Sequence, residues 1–216
     1  MVGREGVLDA LKQQLLAGGA VAVQGLPGAG KTALAVALTH DAMLREHFCD
    51  GVLWVGLGRE PDTLALLGTW LNALVEAPDP TTHIREAARL VQAAIGTRRM
   101  LLVMDDAWAS EPALAFKLGG PNCAHLLTTR LPAVAIDFAG AHAIKLSELD
   151  AHASAQLLHH HAPSLPPDAL RQLTKAAGGL PLALTLMGRF CTRPATLGNR
   201  AACNKLCSTW PSARRA

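Results

Sequence analysis

Eight consecutive residues near the start of the chain place three glycines, a lysine and a threonine in a fixed order. Their sequence, Gly-Leu-Pro-Gly-Ala-Gly-Lys-Thr, matches the pattern G-x-x-x-x-G-K-[ST] at every fixed position. The glycines let successive backbone N–H groups turn towards phosphate oxygens, and the helix that follows directs its positive end to the same place. Lys31 adds a positive charge for the β- and γ-phosphates, and Thr32 offers its hydroxyl to Mg²⁺. The segment therefore predicts a P-loop that binds a purine nucleotide through Gly25, Pro27, Gly28, Ala29, Gly30, Lys31, Thr32 and Ala33.

The alternative to a P-loop is a glycine-rich turn with a chance Lys-Thr pair. The motif follows an apolar run at 21–24, which predicts a strand, and it opens a segment at 31–43 whose Ala and Leu content predicts a helix. Strand, loop and helix in this order are the context that phosphate binding requires. We therefore favour the phosphate-binding interpretation.

Two carboxylates and one arginine follow other apolar runs of the sequence. Asp105 and Asp106 come directly after the run 100–104, and Arg130 comes just beyond the run 124–128. In a parallel sheet the carboxyl ends of the strands converge on the ligand. Without a P-loop, the two aspartates would be interpreted as a solvated strand end and Arg130 as a surface arginine. We assign Mg²⁺, through its water shell, to Asp105, the attacking water to Asp106 and the γ-phosphate to Arg130. The predicted catalytic residues are Lys31, Asp106 and Arg130, and the predicted metal ligands are Thr32 and Asp105.

Apolar runs that predict strands alternate with segments of helical period up to residue 146. This alternation predicts an α/β fold, a P-loop NTPase parallel sheet with flanking helices. The predicted strands are 21–24, 51–55, 100–104, 124–128 and 141–146, and the helices between them include 31–43, 64–75 and 84–95.

Beyond residue 146 only helical signals remain. Asp150 can cap a helix that reaches about His161, Gly178-Gly179 stops a second one, and Pro181 opens a third. The sequence thus predicts a small all-helical domain after the sheet. The expected domains are a nucleotide-binding domain at 1–147, a helical lid domain at 148–190 and a poorly ordered tail at 191–216.

The composition limits the possible partners and compartments. The net charge of the 216 residues is only +3, tyrosine is absent and no long Lys/Arg stripe occurs, so nucleic-acid binding is not favoured. No stretch offers the ~20 apolar residues of a membrane-spanning helix, and the charged N-terminus lacks the apolar region of a signal peptide. The five cysteines form no CxxC pair, which is typical of reduced thiols in a cytoplasmic protein.

Several motifs, in a fixed order, resemble the NB-ARC family of STAND nucleotide switches. Beside the P-loop, the chain has a Val-Gly-Arg-Glu leader, an LLVMDDAW segment like the family's Walker B signature, an LLTTR segment like its sensor strand, and a GLPLAL segment like its GLPLA motif. These segments begin at Val2, Leu101, Leu126 and Gly179. Order and number make the resemblance far more specific than any one motif.

The resemblance implies an adenine nucleotide, with Val2, Arg4 and Pro181 on the adenine side. It implies a switch in which ADP and ATP favour different arrangements, with ATP/ADP and Mg²⁺ as cofactors and a slow ATPase activity at most. A second copy of the chain or another protein is then an expected partner. Because the resemblance ends at about Cys191, before the winged-helix domain of the family, we expect a truncated member or an isolated switch core.

Two other functions remain open from the sequence. One is a scaffold that keeps ADP as a structural ligand without hydrolysing ATP. The other is a P-loop small-molecule kinase, which would need an acceptor pocket and usually an arginine-rich lid. No such lid is recognisable in the sequence.

Overall fold

A computed structural model describes residues 1–78 and 81–192 of the chain. Five strands form one sheet in which all neighbours run parallel, in the order β2-β3-β4-β1-β5. The strands are β1 Gly19–Gln24, β2 Val52–Gly58, β3 Leu101–Ala107, β4 Ala124–Thr129 and β5 Ala143–Lys145. The predicted α/β fold with a parallel sheet is therefore confirmed.

Ten α-helices accompany the strands within the described ranges. They are α1 Glu5–Leu16, α2 Lys31–Thr39, α3 Ala42–His47, α4 Thr63–Leu74, α5 Ile84–Ile95, α6 Ser110–Ala115, α7 Pro132–Ala139, α8 Ala151–His161, α9 Pro167–Ala177 and α10 Pro181–Cys191. In this part of the chain, none of the helices combines the length and the apolar character that a membrane span requires.

The central strands owe their position to side chains that are apolar on both faces. Every residue of β4 is buried, and so are the first four residues of β3, as expected for strands covered by helices on both sides. Trp70 of α4 and Phe116 lie fully buried in the main core and meet edge to face, with 4.9 Å between ring centroids. The polar residues at the carboxyl ends of these strands are thus attached to a rigid core.

The chain folds into two compact units. Within the described residues, one comprises 7–26 and 31–146 and contains the sheet, while the other comprises 1–6, 27–30 and 147–192 and contains α8, α9 and α10. The helical unit has an apolar cluster of its own, which includes Leu158, Leu173 and Leu184.

The ends of the helices in this helical unit follow from single residues. The Asp150 carboxylate accepts a hydrogen bond from the N–H of Ala153 at 2.7 Å and caps α8. Gly178 ends α9 in the left-handed conformation, and Pro181 occupies the first position of α10, where a missing N–H does no harm. These three local predictions are confirmed. Of the predicted tail at 191–216, residues 193–216 lie outside the described residues, and Cys191 is the last residue of α10.

Some predicted elements have different bounds in the structure. The predicted helix at 31–43 ends at Thr39, and a new helix, α3, begins at Ala42 because Asp41 caps it. Strand β3 extends through both aspartates to Ala107, whereas the prediction ended it at residue 104. Helix α1 was not predicted, although Leu11 and Leu15 share one buried face.

Asp41 caps α3 and also forms an ion pair with Lys12 of α1. Its carboxylate accepts hydrogen bonds from the N–H groups of Met43 at 3.0 Å and Leu44 at 3.2 Å, and it lies 2.7 Å from the ammonium of Lys12. The hydrogen bond from Lys12 is the main reason why the pKa of Asp41 is lowered. A carboxyl whose pKa is lower in the folded state contributes stability above its unfolded pKa of about 4 and loses it as the pH falls further.

We predict that Asp41→Ala lowers the free energy of unfolding by about 1 to 2 kcal/mol at neutral pH, because both the cap and the ion pair are lost. Asp41→Asn keeps a capping oxygen and removes the charge, so it separates the two contributions. Urea unfolding between pH 3 and pH 7 measures this. The two variants should differ at neutral pH, and both should show a weaker loss of stability below about pH 4 than the natural chain. An unaltered acid profile in Asp41→Asn would contradict the assignment of the ion pair.

Candidate functional site

The glycines of the loop adopt conformations that other residues avoid. Gly28 and Gly30 have φ angles of +79° and +96°. At Gly25 the limit is space, since a β-carbon there would lie 2.6 Å from the carbonyl oxygen of Leu146. The loop that the sequence predicts to surround phosphates therefore has a backbone course that depends on glycine.

Lys31 begins α2 and lies against the loop that precedes it. Its ammonium donates hydrogen bonds to the carbonyl oxygens of Gly25 at 2.8 Å and Leu26 at 3.0 Å. Burial lowers the pKa of Lys31, as does the positive charge of Arg130, while Asp106 and Asp105 act in the opposite direction. The side chain is 8% exposed. The structure thus keeps a mostly buried cation at the base of the loop.

Thr32 and Asp105 meet although they are 73 positions apart in the sequence. The hydroxyl of Thr32 lies 2.9 Å and 3.0 Å from the two carboxylate oxygens of Asp105. On the neighbouring strand β4, the hydroxyl of Thr128 also donates to Asp105. A hydroxyl and a carboxylate side by side are hard oxygen ligands of the kind that Mg²⁺ prefers. The predicted metal residues therefore lie together and fit that ion.

Asp106 occupies an irregular position in β3. Met104 pairs with Leu127 and Ala107 with Thr129, so two residues of β3 face one residue of β4. This is the arrangement of a β-bulge. Asp106 has a φ of +53°, and its N–H donates to the hydroxyl of Thr128 at 3.0 Å instead of to the ladder. The bulge brings the Asp106 side chain to the same edge as Asp105.

Arg130 follows β4 and pairs with Asp106. Its Nε lies 3.3 Å from one carboxylate oxygen of Asp106, and the indole N–H of Trp108 donates to the other oxygen at 3.2 Å. The guanidinium of Arg130 also lies 4.9 Å from the centroid of the Trp108 ring, and that of Arg59 lies 4.2 Å from it. Lys31 and Arg130 thus lie near the carboxylates of Asp105 and Asp106, and Arg59 joins this edge through the ring of Trp108.

Several predicted nucleotide residues occur in the helical unit. The buried guanidinium of Arg4 donates to the carbonyl oxygen of Ala29 at 3.3 Å, and burial lowers its pKa while Glu148 opposes that effect. The N–H of Leu182 donates to the carbonyl oxygen of Gly28 at 3.2 Å. A β-carbon at Gly30 would lie 3.9 Å from the ring of Pro181. The structure thus brings Arg4, Pro181 and the middle of the loop together.

The remaining predicted binding residues are less constrained by contacts. Val2 packs against the apolar cluster of the helical unit. The side chains of Pro27 and Ala33 are exposed.

Comparison with known proteins agrees with this geometry. Residues 4–164 match the NB-ARC domain family, which is well over half of the chain. This chain belongs to the NB-ARC family. Members are P-loop NTPases, so the loop at 25–32 and the oxygen ligands beside it have the setting that ATP or ADP with Mg²⁺ requires.

Two relatives of this NB-ARC chain are regulatory and defence proteins. The regulatory protein AfsR of Streptomyces griseus is 36% identical over 177 residues, which are 76% of this chain and 18% of that protein. The disease resistance protein RGA2 of Solanum bulbocastanum is 27% identical over 188 residues, 78% of this chain and 19% of that protein. The chain therefore spans about a fifth of the length of these relatives.

Solved structures show the same fold at low sequence identity. A signal transduction ATPase with numerous domains (STAND) and a tetratricopeptide repeat sensor, from Pyrococcus horikoshii, has a TM-score of 0.58 at 20% identity and covers 85% of this chain and 29% of its own. A Walker-type ATPase of Pyrococcus abyssi has a TM-score of 0.62 at 14% identity, and the match covers 96% of this chain and 71% of that protein.

Three residues of the NB-ARC site were not assigned a role from the sequence. Thr128 lies in the predicted sensor strand, but its two hydrogen bonds depend on the bulge of β3. Trp108 ends the LLVMDDAW segment and is half-buried at the site edge. Arg59 follows β2, and its position after a strand was the only available signal.

The hydroxyl of Thr128 generates a prediction, because it is 1% exposed and serves both aspartates. We expect Thr128→Val to lower the free energy of unfolding by about 1 to 3 kcal/mol, since the Asp106 N–H loses its acceptor and Asp105 loses one of its two hydroxyl donors. Thr128→Ser retains the hydroxyl and is the matched control, with a smaller loss. Urea denaturation compares them. Equal losses in both variants would show that the methyl group, not the hydroxyl, matters.

Proposed function

We propose that this chain is an adenine-nucleotide switch module that hydrolyses ATP slowly with Mg²⁺. The observation on which the proposal rests is the contact of the Thr32 hydroxyl with both carboxylate oxygens of Asp105. It joins the residue that ends the P-loop motif to an acidic residue of β3. Family membership supports the nucleotide, and the comparison with a STAND ATPase structure supports the fold that such a switch requires.

The charges at the sheet edge favour a polyphosphate anion. Lys31, Arg59 and Arg130 outnumber the carboxylates of Asp105 and Asp106. A bound phosphate would offset the mutual repulsion of Lys31 and Arg130, which is one cause of the lowered pKa of Lys31. Backbone N–H groups of the loop and the N-terminus of α2 add further positive potential. Phosphate binding is therefore assigned to the loop residues and Lys31.

Thr32 and Asp105 are the residues proposed to hold Mg²⁺, Asp105 through water. The ion would supply neutralisation of phosphate charge. The role of Asp105 is to accept hydrogen bonds and hold the site residues in register, because Thr32 and Thr128 both donate to it. Its position on a buried strand limits how far it can move.

Asp106 is proposed to orient and polarise the attacking water. In the structure both of its oxygens are engaged, one by Arg130 and one by Trp108. Each carboxylate oxygen can accept a second hydrogen bond, so Asp106 can orient water while it keeps these partners. The two partners nevertheless leave fewer positions for that water.

The switch is proposed to depend on whether a γ-phosphate competes for Arg130. A ligand shifts a conformational equilibrium only through different contacts in the two states. ATP offers Arg130 an anion that ADP lacks, and Arg130 is an exposed residue that is already paired with Asp106. Exchange of that partner provides the required difference between the two nucleotides.

A scaffold that keeps ADP without hydrolysing ATP is the second candidate function. The observation in its favour is that Arg130 and Trp108 both contact the carboxylate of Asp106, which leaves fewer positions for an attacking water. The two functions differ in one measurement, single-turnover hydrolysis of ATP. Regulatory or defence activities belong to the relatives by name, and for this chain we propose only that a second copy or another protein responds to the nucleotide.

The helical unit is proposed to recognise the adenine base. The resemblance places Val2, Arg4 and Pro181 on that side of the nucleotide, and the contacts of Arg4 with Ala29 and of Pro181 near Gly30 support the assignment. We further propose the division into a nucleotide-binding domain at 1–147 and a helical lid domain at 148–190.

The acidic residues give the test of the proposed function. We predict that Asp106→Ala slows single-turnover hydrolysis by at least about 100-fold and alters ATP affinity little, because polarisation of water matters in the transition state. Asp105→Ala should instead weaken the dependence of ATP binding on Mg²⁺. Lys31→Ala should weaken ATP and ADP binding at least tenfold, about 1.4 kcal/mol.

Asp9→Ala, which alters an exposed carboxylate of α1, is the matched control and should leave all three measurements unchanged. Isothermal titration with ATPγS and ADP, with and without Mg²⁺, measures binding, and quenched-flow measures hydrolysis. The reverse pattern in the two aspartate variants would overturn the division of roles. Binding without hydrolysis in the natural chain would select the scaffold.

Base selectivity is a separate prediction. ATP and ADP should displace a fluorescent adenine nucleotide at lower concentrations than GTP and GDP, and Arg4→Ala should reduce the difference because the adenine side is disturbed. Equal competition by guanine nucleotides would remove the adenine assignment and leave the phosphate site intact.

A further inference from the structure

Trp108 contacts three charged side chains at the carboxyl end of the sheet. Its ring centroid lies 4.2 Å from the guanidinium of Arg59 and 4.9 Å from that of Arg130, and its indole N–H donates to Asp106 at 3.2 Å. One side chain therefore contacts two cations and one anion. A core aromatic would have apolar neighbours in their place.

The geometry fixes Arg130 from two directions. Its Nε is held by Asp106 at 3.3 Å, and its guanidinium rests against the Trp108 ring. Asp106 in turn is held by the same tryptophan. The three side chains form a closed set in which the position of each depends on the other two, and the indole supplies both the π surface and the N–H donor.

The backbone adds a constraint on the same group. Asp106 has a φ of +53° in a β-bulge, a conformation that persists only where the surroundings determine it. Hydrogen bonds hold Asp106 at its backbone through Thr128 and at its side chain through Trp108. The direction in which its carboxylate points is thus held by Trp108 and Arg130 together.

Arg59 has no carboxylate partner among the ion pairs of the described residues. Its guanidinium lies 4.2 Å from the centroid of the Trp108 ring, which is a cation–π arrangement. Two cations against one ring repel each other, and a nearby anion relieves that repulsion. The arrangement is therefore better suited to a state with an additional anion at this edge than to one without it.

We propose that Trp108 is a positioning residue that, together with Arg59, presents Arg130 to the γ-phosphate and directs Asp106. This inference rests on the proposed nucleotide function. Trp108 does not touch the reacting atoms in this scheme. It determines how strongly the site distinguishes ATP from ADP, because only ATP offers Arg130 an alternative to Asp106.

The test is a double-mutant cycle on nucleotide preference, measured as the ratio of ADP to ATPγS dissociation constants by isothermal titration with Mg²⁺. Arg130→Ala is expected to reduce the preference for ATPγS. Trp108→Leu removes the ring and the N–H donor and should reduce it at least about fivefold. The double variant should show no more loss than Arg130→Ala alone, because Trp108 acts through Arg130. Trp108→Phe keeps a ring and should restore part of the preference.

Arg59→Gln is a second variant, on an exposed side chain, and it keeps the test decisive if Trp108→Leu does not fold. It should reduce the preference by about twofold to fivefold. Arg89→Gln, on an exposed arginine of α5 that pairs with Glu86, is the matched control and should change nothing. A purely structural role of Trp108 would lower thermal stability and leave the ratio of the two dissociation constants unaltered.

The outcomes separate this inference from the proposed function. If the natural chain binds neither nucleotide, or if Lys31→Ala binds as well as the natural chain, the proposed function fails. If nucleotides bind through Lys31 but the losses from Trp108→Leu and Arg130→Ala add, or if neither Trp108→Leu nor Arg59→Gln alters the preference, the positioning role is overturned.

Discussion

The carboxylate of Asp105 is the acceptor on which the arrangement of the site depends. It receives hydroxyl hydrogen bonds from Thr32, which belongs to α2, and from Thr128, which belongs to β4. A helix that starts at the glycine loop and two adjacent strands are thereby tied at one point. Because β3 and β4 are buried on both faces, this point cannot shift without disturbing the core. The precision of the site thus comes from the sheet, and the polar groups only complete it.

The β-bulge beside Asp105 converts one strand end into two different chemical positions. In a regular strand, consecutive side chains point to opposite faces. The additional residue breaks that alternation and keeps both side chains at one edge, where Asp105 accepts from Thr32 and Asp106 contacts Arg130 and Trp108. Two adjacent carboxylates can therefore act in one site with different partners. The unusual backbone of Asp106 is part of this arrangement.

Local signals in the sequence were sufficient for much of the fold. The capping residue Asp150, the two glycines after α9 and Pro181 determine helix ends through neighbours a few positions away, and these were predictable. Apolar runs predicted all five strands for the same reason. Helix α1 also has a readable period in Leu11 and Leu15, although the predicted elements did not include it.

Only the parts of the site that belong to a sequence motif or follow a predicted strand could be predicted. The loop and Asp105 follow from pattern and strand position, whereas their hydrogen bonds follow from the register of β3 against β4, which no local rule gives. The stacking of Arg59 and Arg130 on Trp108 joins three separate strand ends. A tryptophan after an acidic strand end has no periodic signal that distinguishes a charged environment from an apolar one. Long-range contacts of this kind require the assembled sheet.

The start of α10 lacks a side-chain cap, and the loop compensates for it. Leu180 at the N-cap offers no acceptor side chain and Pro181 has no N–H, so Leu182 has the first free donor of the helix. That N–H is satisfied by the carbonyl oxygen of Gly28. The first N–H groups of a helix have no partner within the helix and need one elsewhere. The glycine loop thus caps a helix that begins about 150 positions later in the chain. The amide of Leu182 should consequently exchange with solvent deuterium only when its hydrogen bond to Gly28 opens. Its exchange rate therefore reports the opening of the loop without a bound label.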